Sequence, residues 1–420
     1  MSYKIIKWNQ LTENEKESSI QRPVIENSDE QVHIISRIFE AVESEGDEAL
    51  RRFTRMYDGV EIENFLMSDA EMESALNRVP SSLMQSIENA IENVKTFHQA
   101  NYNTGNGITE VKSGVNCQII KRPIENVGLY IPAGNNPLPS TAIMLGVPSS
   151  LARNKQSFVL SPPNKEGLVN DAIVAAARLS GIEKIFKVGG AQSIAAMAYG
   201  TESIPQADKI FGPGNSWVTR AKQMISTLGL SVSIDMPAGP TEVMIISDGC
   251  TNPKFIAYDL LSQAEHGIDS QVILISQDKS FLEKVAIEID EAIETISTRE
   301  IAKVSMENSK FICVDKIQDA FQISNNYAPE HLIINCQDAE EMLPRISSAG
   351  SVFLGEWSPE SAGDYCSGTN HVLPTAGFAT SYSGLSVDSF CKSISVQSLS
   401  KEGLQSIGGD IINLAMSEGL

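Results

Sequence analysis

Residues 242–276 read EVMIISDGCTNPKFIAYDLLSQAEHGIDSQVILIS, and this stretch decides the predicted fold class. Its two ends, 242–247 and 270–276, are short apolar runs typical of buried strands. Between them, residues 253–266 carry apolar side chains at helical spacing, and Gly267 supplies the helix stop. A strand, a helix and a second strand in this order predict a parallel β-sheet.

The same alternation extends in both directions from this stretch. Toward the N-terminus, strands are predicted at 128–132, 157–160, 184–188, 209–211 and 233–235, and helices at 170–179, 191–199 and from about 216. Toward the C-terminus, helices are predicted at 279–296, 316–326 and 338–346, and strands at 310–314, 331–335 and 351–354. Two comparable series in tandem predict an α/β protein with two incomplete Rossmann-like parallel-sheet domains.

The two ends of the chain are predicted to be helical. Near the N-terminus, Ser28 with Gln31 and Ser68 with Glu71 match the capping box that opens a helix. Helices are also predicted over 46–57 and 81–100, with the first 110 residues as a whole helical. After about residue 383 apolar residues return at helical spacing: Phe390, Ile394, Leu399, Leu404, Ile407, Ile411 and Leu414. These patterns predict helical N- and C-terminal extensions.

Composition limits the class of protein. The 53 acidic and 32 basic residues give a net charge of −21, which would repel a phosphate backbone and disfavours nucleic-acid binding. The first ten residues lack the apolar core of a signal peptide, and no segment approaches the ~18 apolar residues that span a bilayer. The six cysteines are scattered without a C-x-x-C pair. We therefore expect a cytoplasmic protein with no membrane contact and no disulfide framework.

Polar side chains at the end of the helix 253–266 form a first candidate site. Gln263 and His266 are three residues apart and project from the same side of the helix. The polar segment 357–371 adds Asp364 and His371, and its length and side chains exceed the needs of a simple loop. Gln263, His266 and Asp364 together would form an oxygen and nitrogen ligand set suited to zinc or manganese. The alternative is that His266 only stabilises the helix end and Gln263 is an ordinary surface residue.

Glu330 and His331 stand side by side at the entrance to a predicted strand, directly after Pro329. Adjacent strand residues point to opposite faces, but after a proline turn both side chains can reach one cleft. A carboxylate and an imidazole together are the usual groups for two separate proton transfers. The alternative is a solvated Glu330 and a His331 that is merely hydrogen-bonded.

Glycine-rich turns suggest where an anion could bind. No G-x-G-x-x-G motif occurs. The turns at 188–192 and 212–215 each lead from a predicted strand into a predicted helix, whose N-terminal amides attract anions. Either could be a plain tight turn. The Gly- and Pro-rich loop 235–242 lies at the junction of the two series, where ligands often sit.

Seven motifs in this sequence resemble those of the histidinol dehydrogenase family. They are GLYIP at 128–132, VGGAQ at 188–192, FGPGN at 211–215, DMPAGP at 235–240, DLLSQAEHG at 259–267, APEHL at 328–332 and SAGDY at 361–365. The resemblance runs in order from the region of Trp8 to the end of the chain. It implies a zinc-dependent oxidation of L-histidinol by NAD, through L-histidinaldehyde to L-histidine, as the last step of histidine biosynthesis.

The resemblance also implies roles for individual residues. His331 would take the substrate's hydroxyl proton, and Glu330 would activate the water that adds to the aldehyde. Zinc would be held by Gln263, His266 and Asp364, NAD would contact Tyr130, Gln192 and Asn215, and the substrate would contact Thr241, Gln263, His266, His331, Asp364, His371 and Glu418.

An organisation of the chain follows from the resemblance. It implies a homodimer in which each site borrows residues from the partner chain. The expected parts are an N-terminal extension at 1–25, a first α/β domain at 26–129 and 239–382, an inserted NAD-binding domain at 130–238, and a C-terminal helical extension at 383–420 that packs on the partner.

Three positions depart from the family pattern. Thr241 stands where relatives usually carry serine, which keeps the hydroxyl. Glycines around 133–136 are partly replaced. The family's fourth zinc ligand is a histidine a few residues beyond Glu418, whereas this sequence stops at Leu420. On that ground we expect weak or absent zinc and low activity for the 420-residue chain.

Three other functions remain open at the level of sequence. One is an NAD-dependent dehydrogenase of another small alcohol on the same scaffold. A second is an aldehyde dehydrogenase with a cysteine nucleophile, for which Cys250 and Cys366 are the candidates, although neither has a positioned base beside it. The third is an inactive protein that only binds a metal or a nucleotide.

Overall fold

The computed structural model describes residues 3–23, 29–103, 107–134, 136–237 and 239–420. Its strands are β1 (Ile5–Lys7), β2 (Ile108–Lys112), β3 (Val115–Pro123), β4 (Asn126–Tyr130), β5 (Gln156–Ser161), β6 (Lys184–Lys187), β7 (Lys209–Phe211), β8 (Ser233–Ile234), β9 (Glu242–Ser247), β10 (Gln271–Ser276), β11 (Lys310–Cys313), β12 (His331–Asn335), β13 (Ser351–Leu354) and β14 (Cys391–Leu399).

The α-helices connect these strands and cover them. They are α1 (Glu13–Ser19), α2 (Asp29–Glu45), α3 (Asp47–Tyr57), α4 (Asp69–Arg78), α5 (Ser81–Asn101), α6 (Pro139–Ala152), α7 (Asp171–Leu179), α8 (Gly190–Tyr199), α9 (Ser216–Ile225), α10 (Pro253–Ala264), α11 (Lys279–Ala292), α12 (Arg299–Glu307), α13 (Ile317–Tyr327), α14 (Glu360–Tyr365) and α15 (Lys401–Ser417). Short 3₁₀ helices lie at Trp8–Gln10, Ile293–Thr295, Ala339–Arg345, Phe378–Thr380 and Val387–Phe390.

Two parallel sheets form the body of the protein, as the sequence predicted. The larger sheet has the strand order β1-β11-β10-β9-β12-β13, and the smaller has the order β6-β5-β4-β7-β8. Strands β9 and β10 are buried along their whole length, because helices cover both faces of such a sheet. Apolar clusters accordingly lie on each side of both sheets. The α/β fold class is confirmed.

The strand orders fix where a ligand can enter. Among the strands of the smaller sheet, β4 comes first in the sequence, and it has β5 on one side and β7 on the other. In the larger sheet β9 has the same position between β10 and β12. The chain reverses its direction of winding at these two places, and such a switch point opens a crevice at the carboxyl ends of the strands. The cavity lined by Gly212, Asn215 and Asp235 lies at this end of the smaller sheet. The polypeptide passes from the smaller sheet to the larger through the loop 235–241.

Several local expectations are confirmed by the structure. Ser68 and Glu71 form a capping box at the start of α4, with hydrogen bonds in both directions. Apolar residues at helical spacing predicted a helix at Val32, Ile35, Phe39 and Val42; α2 covers all four and buries the last three, whereas Val32 is exposed. The expected capping box of Ser28 with Gln31 lies outside the described residues, because Ser28 is not among them. Among the described residues no helix combines the length and apolar character needed to cross a membrane.

The prediction of purely helical ends was wrong in two places. Residues Ile5–Lys7 form strand β1, which pairs in parallel with β11. Residues Cys391–Leu399 form strand β14, which pairs antiparallel with β3 in a third sheet of order β14-β3-β2. Both strands depend on partners hundreds of residues away, which a local pattern cannot reveal. Only α15 fulfils the predicted C-terminal helix.

Other elements were missed or misassigned. The segment 338–346 is a 3₁₀ helix containing Pro344, which has no N–H to donate within an α-helix. Helix α6 was not predicted, and Pro148 and Gly146 inside it weaken its signal. Helix α12 and the hairpin β2–β3 were not predicted either. The segment 357–371, in which no helix was predicted, contains helix α14.

Candidate functional site

A cavity of about 550 Å³ lies between the carboxyl end of the smaller sheet and the amino end of the larger one. Six residues predicted to be functional line it: Asn215, Thr241, His266, Glu330, Asp364 and His371. Gln263 and His331 are fully or almost fully buried directly behind this lining, in contact with Thr241 and Asp364 respectively. The fold thus gathers most of the predicted site residues, although they are up to 156 positions apart in sequence (371 − 215).

A strained turn brings Glu330 and His331 into the same site. Helix α13 ends at Ala328, which has a left-handed backbone with φ of 51°, a conformation that costs energy for a residue with a Cβ. Pro329 follows, and β12 starts only at His331. Glu330 therefore precedes the regular strand, and both side chains reach the site from adjacent positions.

Glu330 is fixed through one of its two carboxylate oxygens. The Thr241 hydroxyl donates to Glu330 Oε2 at 2.6 Å, and the backbone N–H of Glu242 donates to the same atom at 2.9 Å. Burial raises the pKa of Glu330 to about 7, and His331, Thr241 and the Glu242 amide oppose that rise. Oε1 takes no part in these hydrogen bonds and is the atom available to a small molecule in the cavity.

His331 is surrounded by carboxylates. Its Nδ1 lies 3.6 Å from Glu330 Oε2 and 3.6 Å from Glu360 Oε1, and its Nε2 lies 3.6 Å from Asp364 Oδ1. Burial lowers the pKa of His331, but these three negative charges outweigh it and raise the pKa to about 10. Nε2 is buried without a hydrogen-bond partner.

Helices α10 and α14 face each other through side chains at helical spacing. On α10 and the turn after it, Gln263 and His266 are three residues apart; on α14, Glu360 and Asp364 are four apart. Gln263 contacts Glu360. Burial raises the pKa of Asp364, but the nearby imidazoles of His331, His371 and His266, in that order of size, lower it overall.

Glu360 is a site residue that the sequence reading missed. Its side chain is buried among Ser262, Gln263 and His331. Burial raises its pKa to about 8, with further contributions from neighbouring acids and opposition from His331. A cation held among these groups would favour their ionised forms. The spacing of four residues from Asp364 was the signal in the sequence that could have identified Glu360.

The structure offers two overlapping groups of metal ligands. His331, Glu360 and Asp364 each present one ligand atom within 4.8 Å of the others. The predicted set of Gln263, His266 and Asp364 shares only Asp364 with this group. His266 is oriented for ligation, because its Nδ1 lies 2.8 Å from the Ser262 carbonyl oxygen, which leaves Nε2 with a free electron pair.

The predicted cofactor contacts lie at the carboxyl end of the smaller sheet. Asn215 caps helix α9 and follows the turn that begins at Gly212. That turn is held from both sides: Asp235 accepts from the Gly212 N–H at 2.8 Å, and Lys222 donates to the Gly212 carbonyl at 2.7 Å. Lys222 and Asp235 also form a buried ion pair with each other. This end of the cavity therefore presents a rigid helix N-terminus.

Tyr130 lies against the Gly212 turn and Gln192 beside Gly190 at the start of α8, but neither lines the cavity. The Tyr130 hydroxyl accepts a long hydrogen bond of 3.4 Å from the Gly190 N–H. Both side chains are buried.

The remaining substrate candidates differ in position. His371 lies with Nδ1 2.9 Å from the Asp364 carbonyl oxygen and Nε2 3.4 Å from the Thr141 hydroxyl, and burial lowers its pKa. Glu418 is exposed at the end of α15 and is absent from the cavity lining of its own chain.

Comparison with known proteins gives a single family. The profile of the family described as histidinol dehydrogenase matches residues 21–420. The histidinol dehydrogenase of Xanthomonas campestris pv. campestris is 48% identical over 413 residues, which cover 98% of this chain and 95% of that protein. The histidinol dehydrogenase of Colwellia psychrerythraea is 45% identical over 421 residues, covering 100% and 96%.

A solved structure agrees with these sequences. The crystal structure of histidinol dehydrogenase from Elizabethkingia anophelis superposes with a TM-score of 0.95 at 45% sequence identity, covering 100% of this chain and 95% of that one. The chain belongs to the histidinol dehydrogenase family.

Proposed function

We propose that this chain oxidises L-histidinol to L-histidine through L-histidinaldehyde, using two NAD, as the last step of histidine biosynthesis. The family match over residues 21–420 carries the proposal. The arrangement of the site supports it, because a two-step oxidation needs a base for the hydroxyl proton and an activated water for the aldehyde. Glu330 and His331 supply these two groups at one wall of the cavity.

His331 acts as the base toward the substrate hydroxyl. A cation bound at Asp364 would offset the negative charges that raise the pKa of His331 and would so favour its neutral form. In the neutral ring, the contact of Nδ1 with the Glu242 carbonyl oxygen at 3.2 Å favours the tautomer with the proton on Nδ1 and the electron pair on Nε2. Nε2 has no hydrogen-bond partner among the described residues. It is therefore the atom that accepts the proton.

Glu330 acts on the water. Thr241 and the Glu242 amide both donate to Oε2 of Glu330. These two hydrogen bonds keep the carboxylate from rotating, so Oε1 stays available to the reactants in the cavity. A carboxylate held in this way can take a proton from a water at hydrogen-bond distance. Thr241 keeps the hydroxyl that this contact needs, although serine is usual in relatives.

The residues around Asp364 fit a zinc ion. The buried carboxyl groups of Glu330 and Glu360 and the partly buried one of Asp364 surround the single imidazole of His331, and such an excess of poorly solvated negative charge fits a bound cation. We assign the ligands as Gln263, His266 and Asp364, since His266 presents Nε2 and zinc accepts imidazole nitrogen and carboxylate oxygen. The group of His331, Glu360 and Asp364 is the alternative ligand set.

Zinc, when bound, would hold the imidazole and amine of the substrate and so orient the carbinol carbon. His371 and Thr241 line the same part of the cavity and would contact the substrate directly. Because His371 is buried and its pKa is lowered, it would meet the substrate as a neutral imidazole.

NAD would occupy the opposite end of the cavity and accept the hydride. The Gly212 turn and the N-terminus of α9 fit the negative charge of a pyrophosphate. Asn215 lies at that N-terminus, and Tyr130 and Gln192 support the neighbouring turn. Residues 130–238 would then serve as the NAD-binding domain.

We also propose a homodimer in which the C-terminal segment 383–420 packs on the partner subunit. Among the described elements α15 packs mainly against β14, and its side chains Leu404, Ile412, Leu414 and Met416 are 52–70% exposed. An apolar helix face of this kind requires a partner surface. Glu418 at the end of this helix would then contribute to the partner's site. A cytoplasmic location is part of the proposal and follows from the pathway.

The reaction is tested with the purified chain, L-histidinol and NAD. We expect two NADH for each L-histidine formed, and no comparable turnover with amino alcohols that lack the imidazole. Equal turnover with another small alcohol would instead favour a dehydrogenase of different specificity. Zinc-dependent NADH formation distinguishes an enzyme from a protein that only binds a metal or nucleotide.

A further inference from the structure

Glu360 is a buried acid that the reaction steps described above leave without a role. It is the first residue of α14 and is 1% exposed. Its carboxylate lies against the Gln263 side chain, and the Ser262 hydroxyl donates to it at 3.4 Å. The Glu360 backbone N–H donates to Asp259. Three residues of α10 therefore contact this single position of α14.

We propose that Glu360 is a positioning residue whose carboxylate accepts a hydrogen bond from the Gln263 amide nitrogen and thereby turns the Gln263 carbonyl oxygen toward the metal site. The inference rests on the proposed function, in which Gln263 is a metal ligand. It deepens that function by assigning a role to a residue outside the ligand set.

The contacts of the Gln263 amide select one orientation. One end of the amide faces the Glu360 carboxylate and the other faces the Thr241 hydroxyl. A bound cation favours the ionised form of Glu360. The ionised carboxylate has only acceptor atoms, so the amide end that faces it is then the NH₂ group. The carbonyl oxygen then lies on the side of Thr241, which lines the cavity.

The Gln263 carbonyl oxygen keeps a lone pair for a cation in this orientation. The Thr241 hydroxyl faces both this oxygen and Glu330 Oε2, and it has one proton for the two acceptors. A carbonyl oxygen has two lone pairs, so at least one is left for a metal ion held together with Asp364 and His266.

Burial makes the orienting effect strong. Gln263 is 0% exposed and Glu360 is 1% exposed, so water cannot replace either hydrogen bond. Groups that orient a metal ligand from behind are known to change metal affinity by about 10–100-fold when they are removed. Loss of Glu360 should therefore weaken the metal, even though Glu360 does not itself ligate it.

The test measures the dissociation constant of Zn²⁺ in the metal-stripped full chain by competition with a chromophoric chelator. We expect Glu360→Leu to weaken Zn²⁺ by about 10–100-fold. Glu360→Gln keeps an oxygen that can accept from the amide, and we expect it to stay within about threefold of the parent. Thermal midpoint and NAD affinity should be unchanged in both variants.

A double-mutant cycle separates positioning from direct ligation. Gln263→Ala removes the amide through which Glu360 acts, so adding Glu360→Leu to it should cause no further loss of Zn²⁺ affinity. Additive losses would mean that Glu360 ligates the metal itself, as in the group with His331, and would overturn the proposal. Zn²⁺ affinity of Glu360→Leu within threefold of the parent, or no Zn²⁺ binding by the parent, would also overturn it.

The controls address folding and the proposed function separately. Glu356→Leu removes a partly exposed acid four residues earlier and should leave Zn²⁺ affinity unchanged. If Glu360→Leu does not fold, Glu360→Asp replaces it in the cycle, because it withdraws the carboxylate by one methylene. Turnover of the parent with L-histidinol is measured in parallel. An inactive parent would contradict the proposed function, whereas an active parent with additive losses of Zn²⁺ affinity would contradict only the role of Glu360.

Discussion

His331 Nδ1 lies 3.2 Å from the main-chain carbonyl oxygen of Glu242, and this contact joins the first residues of two neighbouring strands. Because β9 and β12 pair in parallel, with His331 opposite Val243, the imidazole is held by backbone rather than by a flexible side chain. The ring therefore cannot rotate without breaking the contact. Its orientation toward Asp364 is built into the sheet.

The two halves of the reaction should separate when Glu330 and His331 are changed one at a time. His331→Asn removes the base for the hydroxyl proton and should slow the first NADH by at least about 100-fold. Glu330→Gln keeps the first oxidation and should slow the second by a similar factor, so that aldehyde becomes trappable. Single-turnover NADH formation with an aldehyde trap measures both, and exposed Glu340→Gln is the control. Equal slowing of both halves in both variants would contradict the assignment.

Breaking the ion pair behind the site should destabilise the protein. The Arg22 guanidinium forms two hydrogen bonds with Glu242, at 2.7 and 3.0 Å, and stacks on the Tyr327 ring. The Glu242 side chain is only 3% exposed, so Arg22→Met leaves a buried negative charge without its partner. We expect a loss of about 2–3 kcal/mol, because Arg22 itself is partly exposed. Denaturant midpoints measure this loss.

The matched control for that variant is Arg52→Met. Arg52 pairs with Glu45 where both side chains are more than 40% exposed. Because both side chains reach solvent, we expect no resolvable change in the denaturant midpoint. Equal losses in the two variants would show that burial of Glu242 is not the cause.

A methyl group at Gly212 should weaken the cofactor selectively. Gly212 has φ of +122°, and a Cβ there would collide with the carbonyl oxygen of Tyr130. Gly212→Ala should therefore displace the turn before α9 and raise the KM for NAD by at least about tenfold, with less effect on Zn²⁺ affinity. Gly107→Ala, where a Cβ meets nothing within 4 Å, should have no effect. An unchanged KM for NAD in Gly212→Ala would contradict a cofactor site at this turn.

Acid should destabilise the protein partly through His98. This residue is 3% exposed, and burial lowers its pKa to about 4. Between pH 4 and about 6.5 the unfolded chain binds the proton and the folded chain does not, so the free energy of unfolding rises with pH in that window. From pH 7 to pH 5 the parent should lose about 2 kcal/mol more than His98→Leu. The exposed His33→Leu variant is the control, and parallel pH profiles of parent and His98→Leu would contradict the prediction.

The sequence predicted the two parallel sheets because their strands are continuous apolar runs separated by helices of ordinary length. It could not predict β1 or β14, whose pairing partners lie in distant parts of the chain. The residues of the candidate site can be divided in the same way, into those that a local pattern indicates and one whose contacts are distant in sequence. Gln263, His266, Glu330, His331 and Asp364 lie in motifs that local spacing made visible. The sequence carried only the spacing of four residues between Glu360 and Asp364. The role of Glu360 became clear when α10 was seen to face α14, because its contacts cross between helices about 100 residues apart (360 − 263 = 97).

The antiparallel sheet of β2, β3 and β14 has a consequence for biosynthesis of the chain. Strand β3 lies at Val115–Pro123, whereas its partner β14 lies at Cys391–Leu399. A ribosome therefore adds about 270 residues after β3 (391 − 123 = 268) while β2 and β3 form only a two-stranded hairpin, which is marginally stable by itself. All strands of both parallel sheets are synthesised before β14. The pairing of β14 with β3 is thus a late step, and nascent chains that stall before residue 391 should expose β3 to chaperones or to aggregation.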